Sequence, residues 1–186
     1  VTQANVQSFA RCSSLTCQQL NGETTYLPEN FRKIGFGAFE GCTALSGALN
    51  FNNIFVNRTN VSSIQFIGSS AFFGCSGLNG GVTLPINTSY RNILPYTFAS
   101  SAAPFARKQV PVDQTGLPMQ LKGMLDFSNV SVERIYESAF YKCTALTGIT
   151  LSTIVYEIGN NAFKLCSGLL GLLALPAFVK ILGDSA

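Results

Sequence analysis

The apolar positions of this chain recur in one phrase. Four stretches begin with Ile and then place Ala, Phe, Cys and Leu at the fifth, sixth, ninth and twelfth positions. They are residues 34–45, 67–78, 135–146 and 158–169. Self-similarity of this kind is the sequence signature of a repeat protein, in which each repeat is one supersecondary unit.

Two weaker copies extend the pattern. Residues 4–15 keep the Phe, the Cys and the last Leu, whereas residues 93–104 keep the Ile and the Phe but have Ser101 in place of Cys. The repeat therefore runs through most of the chain.

A second apolar pattern follows most copies of the phrase. Apolar residues alternate with small or polar ones over a few positions, which is typical of a half-buried strand. Such predicted strands occupy residues 45–51, 78–84, 121–127, 146–151 and 169–175. Cys143 and Cys166 lie 23 residues apart, within the range of roughly 20–29 residues of leucine-rich repeats.

One coil of this size cannot bury its own apolar face, so only the stacking of neighbouring coils makes a continuous core. We therefore expect residues 1–186 to form a single repeat solenoid of about six coils. Its strands should pair as a parallel ladder on one wall, with short turns and 3₁₀ or strand segments on the opposite wall.

The pattern resembles the BspA-like, or treponema-type, leucine-rich repeat. The consensus of that family is met in one repeat by Leu146, Ile149, Leu151, Val155, Ile158, Gly159, Ala162, Phe163 and Cys166. The resemblance implies a curved, parallel-stranded solenoid, commonly part of a larger secreted or surface protein of bacteria or protists, which is used for adhesion or partner binding. It implies no chemistry and no cofactor, because the motif residues are core residues.

Long loops and open ends depart from the family pattern. Residues 52–66 and 102–118 interrupt the coils, either as recognition loops or as tolerated insertions. Solenoids need polar capping repeats, and no such repeat is visible, so we expect either a part of a longer protein or ends covered by another chain. End-to-end stacking would be heterologous and would grow as a filament.

Composition narrows the function. Only 11% of the residues are charged, the net charge is +3, and there is no His and no Trp. Scattered cations leave no footprint for nucleic acid, and the lack of imidazole removes the commonest general base and metal ligand. The apolar stretch at 169–179 is too short to span a bilayer and contains Gly and Pro, so no membrane span is expected.

The cysteines are predicted to form a ladder. One repeat position is occupied by Cys12, Cys42, Cys75, Cys143 and Cys166. Parallel Cβ vectors in such a column disfavour disulfides, so we expect free, buried thiols that donate weak hydrogen bonds to turn backbone. Cys17 breaks the pattern, and a disulfide between Cys12 and Cys17 would fit an oxidising compartment.

Four N-x-S/T sequons follow predicted strands, at Asn57, Asn60, Asn87 and Asn129. In a protein secreted from a eukaryotic cell we expect at least two to carry glycan, whereas in most bacteria they would be unmodified. Asn57 and Asn60 are close enough for one glycan to block the other.

No catalytic constellation is predicted. The candidate carboxylate pairs are Glu133 with Glu137 and Glu23 with Glu29, but a glycosidase needs its two carboxylates at a defined separation in a cleft. Glu133 and Glu137 flank Ile135 on a short strand and turn, where solvated exterior positions are the simpler interpretation. We therefore expect the protein not to be an enzyme.

The outward side of the strand ladder is the predicted contact surface. Its candidate binding residues are small, polar or apolar and almost uncharged: Asn50, Thr83, Met124, Asp126, Thr150 and Leu172. Such a face suits a protein or glycan partner, or a copy of the chain itself. We expect an extracellular or cell-surface protein acting in adhesion or partner binding. The alternative is the structural subunit of an extracellular filament, coated by glycans.

Overall fold

The computed structural model describes residues 3–12, 14–15, 24–25, 32–51, 64–86, 90–100, 121–171 and 173–186, with only the backbone of 24–25. Within these ranges the chain consists of short strands and hydrogen-bonded turns, without a helix. The strands are β1 (Gln3–Ala4), β2 (Thr24–Thr25), β3 (Lys33–Ile34), β4 (Ala48–Asn50), β5 (Phe66–Ile67), β6 (Val82–Thr83), β7 (Asn92–Ile93), β8 (Gly123–Asp126), β9 (Arg134–Ile135), β10 (Leu146–Thr150), β11 (Glu157–Ile158) and β12 (Ile181–Leu182).

The even-numbered strands from β2 to β10 form one wall, here called the ladder. Strands β2, β4 and β6 pair in parallel, and β8 pairs in parallel with β10. Inward-facing Leu49 and Leu125 are almost fully buried, and their neighbours on each strand point outward. The predicted parallel ladder is confirmed.

The opposite wall, here called the turn wall, carries β1, β3, β5, β7, β9, β11 and β12, each followed by its turn. Alternate amides in a turn bond within the coil and to the next coil. The N–H of Phe39 donates to the carbonyl of Ala71 (2.9 Å), and the N–H of Cys42 donates to the carbonyl of Phe39 (3.1 Å). The strand segments expected on this wall are confirmed. Its turns alternate in this way and form no 3₁₀ helix in the described residues, because a 3₁₀ helix would need every amide to bond within its own coil.

Phenylalanine at the sixth position of each phrase builds the core. The rings of Phe9, Phe39, Phe72, Phe98, Phe140 and Phe163 stack nearly parallel, with centroids 5.2–5.9 Å apart. The four inner rings of the stack are buried. Offset stacks at this distance add to the free energy of burying the rings, so the stack runs as a continuous spine through the described coils.

The Gly after the Ile of the phrase permits close stacking of coils. A Cβ atom on Gly68 would lie 2.6 Å from backbone atoms of Gly35 and Phe36 in the preceding coil. A side chain at this position would force the two coils apart. Steric contact therefore explains why the residue is Gly.

Both walls have a break between the third and fourth coils, here called the seam. Strand β5 does not pair with β7, and β6 does not pair with β8. The turns still meet there, because the N–H of Phe72 donates to the carbonyl of Thr97 at 3.0 Å. Phe72 and Phe98 also stack across the seam at 5.9 Å. Turn bonds and ring contacts therefore join the two blocks of coils, one before the seam and one after it.

The predicted strand at 169–175 is wrong for the described residues of that segment. Residues 169–171 and 173–175 form no strand. Gly171 has φ of 118°, which lies outside the extended region of a β-strand. Gly47 and Gly123 hold the same repeat position, directly before β4 and at the start of β8, and also have positive φ, so this angle alone does not prevent a strand. The segment differs in burial, because residues 170–171 and 173–175 are exposed and no described coil covers them.

Candidate binding face

The outward side of the ladder carries a polar row. Asn50 is opposite Thr83 in the β4–β6 register, and Thr150 is opposite Asp126 in the β8–β10 register. The side chains of Thr83 and Asp126 are exposed, and those of Asn50 and Thr150 are partly exposed. Paired strands lie roughly 4.8 Å apart. The row therefore offers hydroxyl, amide and carboxylate groups at a regular spacing within each strand pair, β4–β6 and β8–β10.

Small residues form a second row beside the polar one. Gly148 is opposite Met124, while Ala48 and Gly81 directly precede the paired Leu49 and Val82. Among the side chains of this row that the structure describes, Met124 projects furthest, with 60% of its surface exposed.

Asp126 is the carboxylate of the face. Its Oδ1 accepts the backbone N–H of Ser128 at 2.9 Å. That hydrogen bond holds the pKa of the Asp126 carboxyl below its ordinary value, because it stabilises the ionised form. The face therefore keeps a negative charge at neutral pH.

Several predicted site residues lie outside the described residues. These are Leu172 of the face, Cys17 of the proposed disulfide, and the sequon residues Asn57, Asn60 and Asn87. Asn129 is exposed in the turn that follows β8, where an attached glycan would extend into solvent.

The cysteine column lies on the inner side of the turn wall. The thiols of Cys42 and Cys75 donate to the carbonyls of Phe9 and Phe39, both at 2.9 Å. Those of Cys143 and Cys166 donate to Phe98 and Phe140 at 3.1 and 3.0 Å. All four are buried and form no disulfide, and each donates a hydrogen bond to the coil that precedes it.

Cys12 differs from the expectation of a buried ladder thiol. It is exposed, because it belongs to the first described coil and no described coil covers it. Its pairing with Cys17 stays a prediction.

Burial also sets the protonation of the inner thiols. Desolvation raises the pKa of the Cys143 thiol well above its ordinary value and raises the pKa of Cys166 to about 11. Thiols with a raised pKa stay protonated at neutral pH and are poor nucleophiles. Their role in the described coils is packing and hydrogen bonding.

The candidate carboxylates of the turn wall are each engaged. Glu133 forms an ion pair with Arg91 across neighbouring coils, and Glu137 accepts the hydroxyl of Tyr96 at 3.1 Å. Both carboxylates therefore serve contacts between coils. Glu23 and Glu29 lie outside the described residues.

The turn wall also contains an aromatic and basic network that the sequence analysis missed. Arg134 pairs with Glu157 at 3.3 Å, donates to the hydroxyls of Tyr136 and Tyr156, and lies 4.9 Å from the centre of the Tyr156 ring. The signal was available, because these residues flank the first Ile of two successive phrases. The network links neighbouring coils from outside the core.

Two kinds of site do not occur in the described residues. Within these ranges, no group of three or more His, Cys, Asp or Glu side chains is placed to hold a metal ion. The same residues include no helix with the length and apolarity that a bilayer crossing requires.

The sequence matches the family model described as BspA type leucine rich repeat region. The match comprises six copies over residues 1–53, 44–105 and 123–186. No protein of curated function matches the chain.

Three solved structures of bacterial leucine-rich repeat proteins are similar to the chain. A leucine-rich repeat protein of T. pallidum is 19% identical over 91% of this chain and 72% of that one, with a TM-score of 0.47. A leucine rich cell surface protein of Faecalibacterium prausnitzii is 20% identical over 100% of this chain and 43% of that one, with a TM-score of 0.44. A protein of Bacteroides ovatus is 16% identical over 98% and 75%, with a TM-score of 0.30.

Proposed function

The chain belongs to the BspA-type leucine-rich repeat family, and we propose that it is a non-enzymatic protein of the cell surface or extracellular space. In this proposal it acts in adhesion by binding a protein or glycan through the outward side of the ladder. Leucine-rich repeat domains typically bind proteins, and the family is generally non-enzymatic.

The polar row beside the small row is the observation that carries the proposal. Asn50 and Thr83 on one parallel strand pair, and Asp126 and Thr150 on the other, present donors and acceptors on the same wall. Ala48 and the glycines leave the backbone accessible beside them. A solenoid uses such an extended, regular surface for recognition because its geometry is fixed by the coils beneath.

An extracellular location is supported by the sequons. Asn129 is exposed after a strand, as an acceptor of glycan must be. Use of this sequon, like that of Asn57, Asn60 and Asn87, remains part of the proposal.

Blocking the ladder face should weaken binding without unfolding the protein. We propose Thr83→Arg and Thr150→Arg, with Thr153→Arg as the control, because Thr153 is exposed just after β10. Binding is measured on panels of immobilised extracellular-matrix proteins and glycans. For any ligand that binds the native chain, the two face variants should lower affinity by about 10-fold or more, and the control should not.

Equal binding by both face variants and the native chain would contradict the assignment of this surface. The melting temperature of each variant separates a blocked face from a damaged fold.

A structural filament is the second candidate function. The last described coil exposes Leu170 and Phe178, at 83% and 63% of their surfaces. A further coil of the same repeat would cover this surface, whether it belongs to the same chain or to a second copy. The filament proposal requires the second copy. Sedimentation should then show growth of large species with concentration, and a monodisperse monomer at roughly 100 μM would contradict it.

A further inference from the structure

Met124 is the prominent apolar contact on an otherwise small and polar face. Its side chain is 60% exposed on β8, the first ladder strand after the seam. The glycine opposite it, Gly148, has no side chain, and a Cβ there would lie 3.6 Å from the Cγ of Met124. Gly81 directly precedes β6 on the other side, so Met124 projects beyond neighbours that have no side chain.

The backbone is irregular at this position. The register between β8 and β10 shifts between Leu146 and Gly148, so Thr147 is an extra residue opposite Gly123 and Met124. Gly123 has φ of 87°, in the region that glycine adopts without strain. A bulge re-aims side chains and is common beside functional sites, and here it lies under the projecting Met124.

Two opposite charges flank Met124 along the chain, Lys122 directly before β8 and Asp126 at its end. Lys122 is exposed two residues before it, and Asp126 is exposed two residues after it. The hydrogen bond from Ser128 keeps Asp126 oriented. The segment thus presents a cation, a flexible apolar side chain and an anion in sequence, on a face with few other charges.

This combination favours a peptide over a glycan. Sugar rings are commonly bound by flat aromatic side chains, and the outward residues of the described ladder strands include none. Methionine adapts to varied apolar side chains, and the flanking charges would orient a partner with complementary charges. Peptides supply both kinds of group on one chain.

We infer that Met124, Lys122 and Asp126 form a peptide-binding spot on the ladder. Its occupant is an extended protein segment with an apolar side chain between an acidic and a basic residue. The acidic residue pairs with Lys122, the apolar one packs on Met124, and the basic one pairs with Asp126. This inference rests on the proposed use of the ladder face and names the partner class for it.

A displayed library of random extended peptides tests the inference. The library is selected in parallel on the native chain, Met124→Ser, Lys122→Glu and Ile154→Ser. Ile154 is a matched control because it is an exposed apolar residue beyond the ladder, 42% exposed in the turn after β10. Peptides from the native chain should share an acidic, an apolar and a basic residue in that spatial order.

Each variant has an expected effect on the affinity or the consensus of the selected peptides. Met124→Ser should lower their affinity by about 10- to 100-fold, as expected for loss of a buried apolar anchor. Lys122→Glu should replace the acidic position of the consensus by a basic one, and Ile154→Ser should change neither affinity nor consensus.

Methyl NMR gives a direct readout of contact. The chain has two methionines, Met119 and Met124, and the signal lost in Met124→Ser identifies the second. Its ¹³C-methyl resonance should shift when a selected peptide is added to the native chain.

Different failures are distinguishable. Peptides that bind Met124→Ser at full affinity, or that leave its methyl resonance in the native chain unmoved, overturn this inference. If Thr83→Arg and Thr150→Arg still weaken binding in that case, the proposed function survives. Binding of glycans but not peptides at this face would likewise overturn the peptide assignment alone.

Discussion

At the scale of single residues, the repeated cysteine is a hydrogen-bond donor inside the core. The thiols of Cys42, Cys75, Cys143 and Cys166 each reach the Phe carbonyl of the preceding coil. In three of these coils the same Phe carbonyl also accepts the amide of its own coil, as in the bond from Cys42 to Phe39. The thiol is thus small enough to fit the column and still supplies a second donor.

The raised thiol pKa values predict an alkaline loss of stability. The ordinary pKa of 9.0 rises to about 11 at Cys166. Above pH 9 the thiol ionises in the unfolded chain but not in the folded one, so the unfolded state binds fewer protons. The free energy of unfolding should then fall as pH rises from 9 toward 11, by about 2 kcal/mol for Cys166.

Urea unfolding at several pH values between 7.5 and 10.5 checks this prediction. Cys166→Ser should show a shallower decline because its hydroxyl does not titrate in this range. An identical decline in Cys166→Ser and the native chain would count against the buried thiol as its cause.

At the scale of elements, the stacked rings matter most where the strands do not pair. Within a block, strand pairs on both walls and the Phe stack join neighbouring coils. Across the seam no strands pair, and the stack between Phe72 and Phe98 acts with the turn bonds and one ladder-wall bond, from the N–H of Lys122 to the carbonyl of Gly80 at 3.2 Å. In a solenoid, stability is the sum of coil stabilities and nearest-neighbour interfaces, so the seam is the weak interface.

Removing a ring at the seam should uncouple the two blocks. Phe98→Ala is expected to cost about 3–5 kcal/mol and to split unfolding into two transitions. Phe140→Ala removes an equally buried ring inside the second block and should destabilise that block without a comparable loss at the seam. Urea unfolding followed by residue-level hydrogen exchange compares the two variants. Indistinguishable exchange patterns would contradict a weak seam.

At the scale of the whole molecule, long-range electrostatics contributes little. The chain has 11% charged residues and a net charge of +3. The ion pairs between described residues, Arg91 with Glu133 and Arg134 with Glu157, are at the surface. Surface pairs contribute up to about 1 kcal/mol each and are screened by salt. Apolar stacking therefore dominates the stability of the solenoid.

Salt should consequently change stability only slightly. Between roughly 0.05 M and 0.5 M NaCl we expect the free energy of unfolding to change by less than about 1 kcal/mol. Denaturant titration at both concentrations measures it. A change of several kcal/mol would show that charges outside these pairs govern the fold.

The sequence by itself determined the repeat, because a coil that cannot bury its apolar face must place the same residue types at the same positions in every copy. Phe140 and Leu146 could be assigned to the core from that periodicity alone. The sequence also placed Thr83 and Asp126 on the outward side of the ladder, since alternate residues of a strand face opposite ways.

Only the tertiary structure decided how neighbouring coils fit together. Strand pairing is interrupted at the seam, residues 169–171 and 173–175 form no strand, and β10 has a bulge beside Met124. The fit between coils depends on contacts between residues far apart in the chain, such as Gly35 with Gly68 and Cys143 with Phe98. A pattern of residue types fixes which face is apolar, but the register of backbone against backbone appears only when the coils are stacked.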